Sequence, residues 1–493
     1  MANGKETREV DVLVVGGGCS GSAAAIQAAR MGARTLVVEE SAWLGGMITA
    51  AGVSAIDGNE GALGGGLFGA FRRAMEDHYG GAEAVRTGWV SNTCFEPNVA
   101  ADWIAGTVRE SGAEVVHGFH LAKVHREGDR IVGALFRSGD AYLDVRAEVT
   151  IEATEYGDVL HQGGVPYHFG RESQSESGEL HAPESSDDEI QDLTMVATLR
   201  RFEGDAPRVA LPVGFDLGRF ECSTAVDCSR PDAAYWNHAL HDWDSFLGYA
   251  LLPNDLFMLN WPFHSNDYPA QGLFRSAEER ARTIAQAKER TLAYVHYIQT
   301  TLGHPEWGLA EGIYPTDDHL PLIPYVRESR RVVPVRWLRE QDVVPGDGRG
   351  SNAVLSDGVA VGDYYLDHHH DKDHRPPGER LGEDYPPNAP FQVPYSAMVP
   401  RAIDGLVCAE KSIGATHIVN GCARLQPVAV LIGQAAGAAA ALAVRGGAQP
   451  RDVDAGAIQD VLLEAGCQVV PDAEVGSSDP DFVGRQRALL RGE

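Results

Sequence analysis

The chain predicts an α/β protein: a three-layer, Rossmann-like dinucleotide domain, discontinuous in sequence, with an α+β domain inserted into it. Three observations lead there. A strand, a glycine-rich turn, a helix, a second strand and an acid follow one another in register across Val10–Glu39. An apolar strand and a small-residue helix stand near the other end, at Gly405–Ala409 and Val428–Val444. Between them run short strands, polar-aromatic clusters and one long helix, without a second strand–GxGxxG–helix unit.

Val10–Val15 is an apolar run rich in valine, as a strand buried on both faces requires. Gly16-Gly17-Gly18-Cys19-Ser20-Gly21 follows at once. Gly16 allows the tight turn, Gly18 the close approach of a pyrophosphate, and Gly21 the packing of helix on strand. Ser22–Met31 is alanine-rich and helical, and Gly32 is placed to end it. Thr35–Val38 is the second strand. It ends in Glu39, whose carboxylate can accept both ribose hydroxyls of an adenosine and disfavours a 2′-phosphate. A GxGxxG alone is as readily a plain glycine turn; the register of strand, helix and acid makes this one a dinucleotide site.

Gly45-Gly46 comes shortly after the acid, and the motif lies close to the N-terminus. In this the chain resembles the FAD-dependent oxidoreductases of the glutathione-reductase-like flavoprotein group. The resemblance implies noncovalent FAD. Gly16, Gly18 and Gly21 would meet the pyrophosphate, with Cys19 and Ser20 in the same turn. Glu39, with Glu40 beside it, would meet the ribose; Gly45, Gly46 and Met47 would lie along the ribityl chain or flavin; Leu121 would touch adenine.

The 493 residues are too many for one core, so two or three domains are expected. The net charge of −29 argues against nonspecific attraction to nucleic acid or anionic membrane. The first residues, MANGKETREVD, carry no apolar segment of a signal peptide, and no run is long enough to span a bilayer. Seven scattered cysteines form no CxxC, which argues against a metal ribbon or redox dithiol and suits free thiols in a reducing cytosol. A cytoplasmic protein is therefore expected.

Ala50–Glu76 is dense enough in glycine for backbone to run against a ligand. Asn98–Ser111 reads as an amphipathic helix, Glu114–Val116 as a strand, and Leu121–Val124 with Ile131–Phe136 as a hairpin. Ala147–Ala153 is a further strand, followed by Thr154-Glu155-Tyr156-Gly157-Asp158. Ala153-Thr154 resembles the Ala-Thr-Gly element that closes over the flavin in oxidoreductases related to fumarate reductases; Glu155 departs from that element. Gln174–Glu189 reads as a solvated loop, Leu193–Phe202 as the opening of the second domain, and Ala277–Leu302 as a packing helix.

The cluster Leu259–Tyr268 holds His264 and Asn266, and Pro324–Val333 holds Arg327, Arg330 and Arg331. A guanidinium in such a place can bind a carboxylate bidentately or pair with Glu328. Asp363–Asp371 contains His368, His369 and His370. Adjacent histidines on a strand point to opposite faces, so these and His374 are not expected to converge on one ion, and no metal site is expected. Lys372–Asn388 reads as an exposed linker. Near the end, Arg424-Leu425-Gln426-Pro427 precedes the small-residue helix. By resemblance these residues meet the cofactor, and the helix aims its positive end at the pyrimidine edge of the isoalloxazine.

The expected boundaries are 1–165 with 391–450 for FAD, 166–390 for a substrate or cap domain, and 451–493 for a terminal helix and tail. The expected function is hydride transfer between flavin N5 and a small organic substrate, as a dehydrogenase or oxidase of specialised metabolism, with O2 or an unknown electron acceptor. A flavin monooxygenase using NAD(P)H is the alternative enzyme, and a flavin-binding structural or sensor protein the non-enzymatic one. No nucleic-acid or membrane partner is expected, and an oligomer is left open. The substrate cavity is expected to gather His264, Asn266, Arg327, Arg330, His369, Tyr395 and His417. His264 is preferred over His417 as catalytic base, since histidine ionises near neutral pH.

Overall fold

The computed structural model describes residues 5–58, 62, 64–228, 241–262, 264–345, 352–370, 376–380 and 385–493. His374 and the Gly346–Gly350 turn lie outside the described residues.

A seven-stranded sheet organises the two ends of the chain. Strand β1 (Lys5–Val15) lies between β2 (Thr35–Glu39) and β6 (Ala141–Glu152), parallel to both. Strand β3 (Glu114–His117) extends the parallel part beyond β2. On the other side β5 (Arg130–Ser138) and β4 (His120–Glu127) form an antiparallel hairpin on the first half of β6. The second half of β6 takes a partner from the far end of the chain: Leu406–Cys408 runs parallel to it, with Leu406 opposite Thr150 and Cys408 opposite Glu152. Along β1 the faces alternate. Val12 and Val14 enter the main core, while Leu13 and Val15 enter a smaller core under the hairpin. Both faces being covered explains the unbroken apolar run.

Helix α1 (Cys19–Arg30) packs against the helix Gln426–Gly446 at backbone distance. A Cβ at Gly433 would overlap the Ser20 carbonyl, and one at Gly437 would overlap that of Ala24. The Ser20 hydroxyl donates to Ala429 O at 2.6 Å across the same contact. Among the described residues, Gln426–Gly446 is the one helix apolar and long enough to cross a membrane, and most of it is buried inside the protein.

The middle of the chain builds a four-stranded sheet in the order Leu251–Leu252, Leu256–Leu259, Ala197–Arg201, Trp307–Leu309. Helix Ala277–Thr300 packs with it, and Phe220, Phe246, Phe257, Trp261 and Tyr294 fill its core. Gly358–Gly362 pairs with Phe391–Pro394, an antiparallel ladder that spans residue 390.

Several expectations need correction. Cys222 and Cys228 form a disulfide, so the thiols are not all free. Thr224 turns the intervening chain by donating from N and Oγ1 to Asp227 Oδ1, which brings the two cysteines together. Gln174–Glu189 is anchored rather than solvated: Arg171 and Asp187 pair through backbone and side chain, and buried Glu179 accepts from Glu340 N and Thr416 Oγ1. The tail carries a helix, Phe482–Leu490, whose buried Gln486 accepts from the amides of Val469 and Val470 and donates to Val470 O.

The helix contact yields a prediction. Gly433→Ala should destabilise the protein by about 1–3 kcal/mol through overpacking. Gly446→Ala, whose Cβ would meet nothing nearer than 3.9 Å, should be neutral or slightly stabilising. Thermal unfolding of both variants is the check.

Candidate functional site

A cavity of about 790 Å³ opens at the C-terminal ends of β1 and β2, where open α/β sheets bind ligands. Its floor is Val15, Gly16, Gly18 and Gly46; one wall is Glu39, Glu40 and Phe119–Leu121; another is Ala153–Tyr156 with Asp158. Helix Ala277–Thr300 closes it with Arg280 and Ile284.

The floor is built for close approach. Gly16 turns with φ 92°, and a Cβ on Gly21 would overlap Gly16 O. A Cβ on Gly18 would stand 2.6 Å from Glu410 Oε1. Cys19 Sγ donates to Gly45 O at 3.1 Å, tying the turn to the second glycine loop, where Gly45 has φ 98° and Met47 is buried. Glu39 braces the wall: it accepts from Gly17 N at 2.6 Å and Ser41 N at 2.7 Å. Burial and the neighbouring Glu40 push its carboxyl up to about 7 against those hydrogen bonds.

Three residues here escaped sequence reasoning. Ser20 N, at the start of α1, donates to Glu410 Oε1 at 2.6 Å, so a carboxylate occupies the anion-binding end of the helix. Burial pushes Glu410 up to about 7, although Lys411 beside it pulls the other way. Lys411 Nζ lies 2.6 Å from Glu155 Oε2 and 3.7 Å from Glu410 Oε2. Glu152 shapes the loop that Glu155 makes atypical: it accepts from Thr154 N and Oγ1 and from Val159 N. The available signal was position, since Glu410 and Lys411 follow the last parallel strand at its C-terminal end.

These residues fit FAD. The glycine floor leaves no room for a side chain, and the buried oxygens Glu155 Oε1, Glu410 Oε2 and Gln426 Oε1 have no hydrogen-bond partner. Acceptors of that kind suit the hydroxyl donors of a ribityl or ribose group. Leu121, Ala153 and Thr154 line the cavity as well. Leu425 caps the helix Gln426–Gly446, and Gln426 Nε2 points to Val53 O in the glycine-dense loop, 3.5 Å away.

A second polar cluster lies where that loop meets Asp363–Asp367 and Arg424. Arg424 pairs with Asp367 at 2.9 Å and donates to Tyr325 Oη. His369 bridges Asp267 and Asp367 at 3.0 and 2.8 Å, and Arg327 stands 3.2 Å from Asp267. Asp57 is half-buried and faces this cluster; desolvation and the charge of Asp367 push its carboxyl up to about 7, with Arg424 opposing. Arg327 and His369 hold Asp267 down at about 2 against its burial.

A third cluster surrounds Glu379. Its Oε1 lies 2.8 Å from His368 Nδ1, 3.2 Å from His417 Nε2 and 3.6 Å from His370 Nε2, and its Oε2 accepts from Arg171 at 2.9 Å. The three histidines and Glu379 are buried. The chain alternates here as expected, with His369 turned the other way, but His368 and His370 share a face and meet His417 on one carboxylate. Two of these histidines, His368 and His370, do converge, on the Glu379 carboxylate. Glu379 and buried Tyr385 also correct the reading of Lys372–Asn388 as merely exposed.

The expected substrate residues do not gather in one cavity. Arg330 lines the FAD cavity, but its guanidinium donates to Tyr156 O, Asp158 and Phe274 O, so it holds the wall together. Arg331 is buried against Glu172 and Glu328. Tyr395 Oη donates to Pro450 O, and Asn266 brackets the backbone of Trp261, Met195 and Leu259. Both are structural ties. His264 is a half-buried turn residue with φ 51° and does not line the cavity. His417 fails as a neutral base: against desolvation, Glu328 and Glu379 push its pKa up to about 10. Of Arg327, Arg330 and Arg331, it is Arg327 that faces the Asp267–His369–Asp367 cluster, beside Arg424.

A model of the FAD dependent oxidoreductase family matches residues 11–462. The chain belongs to that family. It is thus an FAD-dependent enzyme. No curated protein matches it. Among solved structures, the flavin-dependent brominase Bmp2 is 20% identical over 41% of this chain and 48% of its own, with a TM-score of 0.27. A geranylgeranyl bacteriochlorophyll reductase-like protein of Thermoplasma acidophilum is 21% identical over 41% and 49%, with a TM-score of 0.26. The myxobacterial chondrochloren halogenase CndH is 18% identical over 41% and 45%, with a TM-score of 0.25. The matched part is about half the length of each of those chains.

For this oxidoreductase, Glu39→Ala should weaken FAD by about 1.5–3 kcal/mol, the worth of a charged hydrogen bond. Calorimetric titration of the apoprotein with FAD measures it. A variant with wild-type affinity would remove Glu39 from the cofactor site.

Proposed function

We propose that the oxidoreductase transfers hydride between flavin N5 and a small organic substrate whose reacting C–H adjoins an O–H or N–H, and that Asp57 takes the proton. Asp57 carries the reading. It is the half-buried acid facing the Asp267–Asp367 cluster, on the glycine-dense loop whose Val53 O meets Gln426 Nε2 at the start of helix Gln426–Gly446; its carboxyl is pushed up to about 7, while Asp267 is held ionised. Carboxyls driven apart in this way divide into a proton carrier and fixed charges.

The chemistry that bound FAD supplies is two-electron hydride exchange at N5. The chain's own residues do the rest. Asp57 ionises near pH 7 and can then accept a proton from a substrate within hydrogen-bond reach. Arg424, fixed by Asp367 and Tyr325, offers a rigid cation beside it. His369 clamps Asp267 and Asp367, so neither is free to rotate toward the proton.

The sign of the pH dependence follows. Below about 7 Asp57 is protonated and cannot accept; above it, the carboxylate can. Anaerobic stopped-flow reduction by a panel of alcohols, hydroxy acids and amines should accelerate as pH rises through about 7. Asp57→Asn should remove that limb and slow reduction by about 10²–10⁴-fold with FAD content unchanged. A variant that keeps both rate and limb would sink the assignment. Reduction by NADPH without any substrate would instead support a monooxygenase.

A further inference from the structure

We propose that His368, His417 and Glu379, with His370 as fourth donor, form a buried binding site for one divalent transition-metal ion. The site is separate from the FAD cavity, and none of the four residues lines that cavity.

The hydrogen bonds behind the rings carry the inference. His368 Nε2 faces Ile418 O at 3.1 Å, and His417 Nδ1 faces Glu328 at 2.9 Å. A carbonyl and a carboxylate only accept, so both outer nitrogens are N–H donors. The inner nitrogens, His368 Nδ1 and His417 Nε2, both point at Glu379 Oε1, with Tyr385 Oη 3.2 Å from His368 Nδ1; exchange of their ring protons for a metal ion leaves two nitrogen lone pairs and a carboxylate oxygen aimed at one point. An imidazole whose outer N–H is fixed by a carboxylate or backbone carbonyl is the usual setting of a metal-ligating histidine.

The spacing agrees. Ligand atoms about 2.05 Å from a tetrahedral ion stand about 3.3 Å apart. The separations from Glu379 Oε1 to the three imidazole nitrogens are 2.8, 3.2 and 3.6 Å. The donor atoms of His368, Glu379 and His417 all lie within 4.8 Å of one another. Arg171 holds the other oxygen of Glu379 and so orients the carboxylate. One divalent ion also replaces two ring protons charge for charge. Nitrogen donors with one carboxylate select zinc or a neighbouring first-row dication over calcium or magnesium. Four protein donors make the site closed and structural in kind, and it would fasten the start of helix His417–Ala423 to the 368–370 and 379 segments.

The test is elemental analysis of the FAD-loaded protein, as isolated and after chelator treatment, Zn2+ addition and desalting. X-ray absorption at the metal edge reports the ligands. Expected are close to one equivalent of metal and an imidazole-rich shell. His368→Asn and Glu379→Gln should each lower retained Zn2+ at least tenfold. His369→Gln, altering the ring turned away, should leave it unchanged. Wild-type protein that retains under a tenth of an equivalent after Zn2+ addition would overturn the proposal. So would a metal shell without imidazole scattering, read on wild-type protein even where a variant does not fold.

Discussion

The contact between α1 and Gln426–Gly446 is the constraint on which the site depends. Two helices from opposite ends of the chain meet with backbone against backbone, because Gly433 and Gly437 have no side chain to hold them apart. That approach lets Ser20 reach Ala429 and Glu410 and puts Leu406–Cys408 on the free half of β6. The glycine turn and Gly46 then line one cavity, with Glu410 held behind the turn at Ser20 N. A methyl group at either glycine would have to displace main chain, and interiors packed at crystal density resist that.

Carboxylates do much of the building. Glu39 and Glu152 brace the cavity walls from within, Glu410 sits at the start of α1, and Asp158 ties Arg280 and Arg330 together. Burial raises Glu39, Glu152 and Glu410 to about 7. Asp267 goes the opposite way, since Arg327 and His369 repay its desolvation. The net charge of the chain says nothing about this; what matters is whether neighbouring cations outweigh burial, as they do at Asp267 and as Lys411 does not at Glu410. The same contrast separates Asp57, raised by burial and then by Asp367 against the pull of Arg424, from Asp267 and Asp367, which His369 and arginines hold down.

The strand–turn–helix–strand unit was legible because its signals are local. A strand, a turn, a helix and an acid within Val10–Glu39 must form a βαβ unit wherever they stand, since the glycines answer steric demands that only glycine meets. The hairpin Leu121–Phe136 and the helices at Asn98–Ser111 and Ala277–Leu302 were readable from periodicity for the same reason, and the structure differs from them only at the ends. The polar residues of the middle were not legible in this way. Asn266, Tyr395 and Arg330 are chemically able to bind a substrate, and each is taken up by backbone groups that sequence spacing does not reveal.

The sequence by itself determined the nucleotide turn, the parallel strands and the small-residue helix, because each depends on steric and burial rules acting within a few residues. Tertiary structure alone decided what the long-range pairs do. Glu410 meets Ser20 across 390 residues, Asp57 comes under the charge of Asp367, and His417 joins His368 and His370 on Glu379. Ionisation depends on the groups within a few ångströms, whatever their distance along the chain, so those roles follow from packing and not from composition or motif.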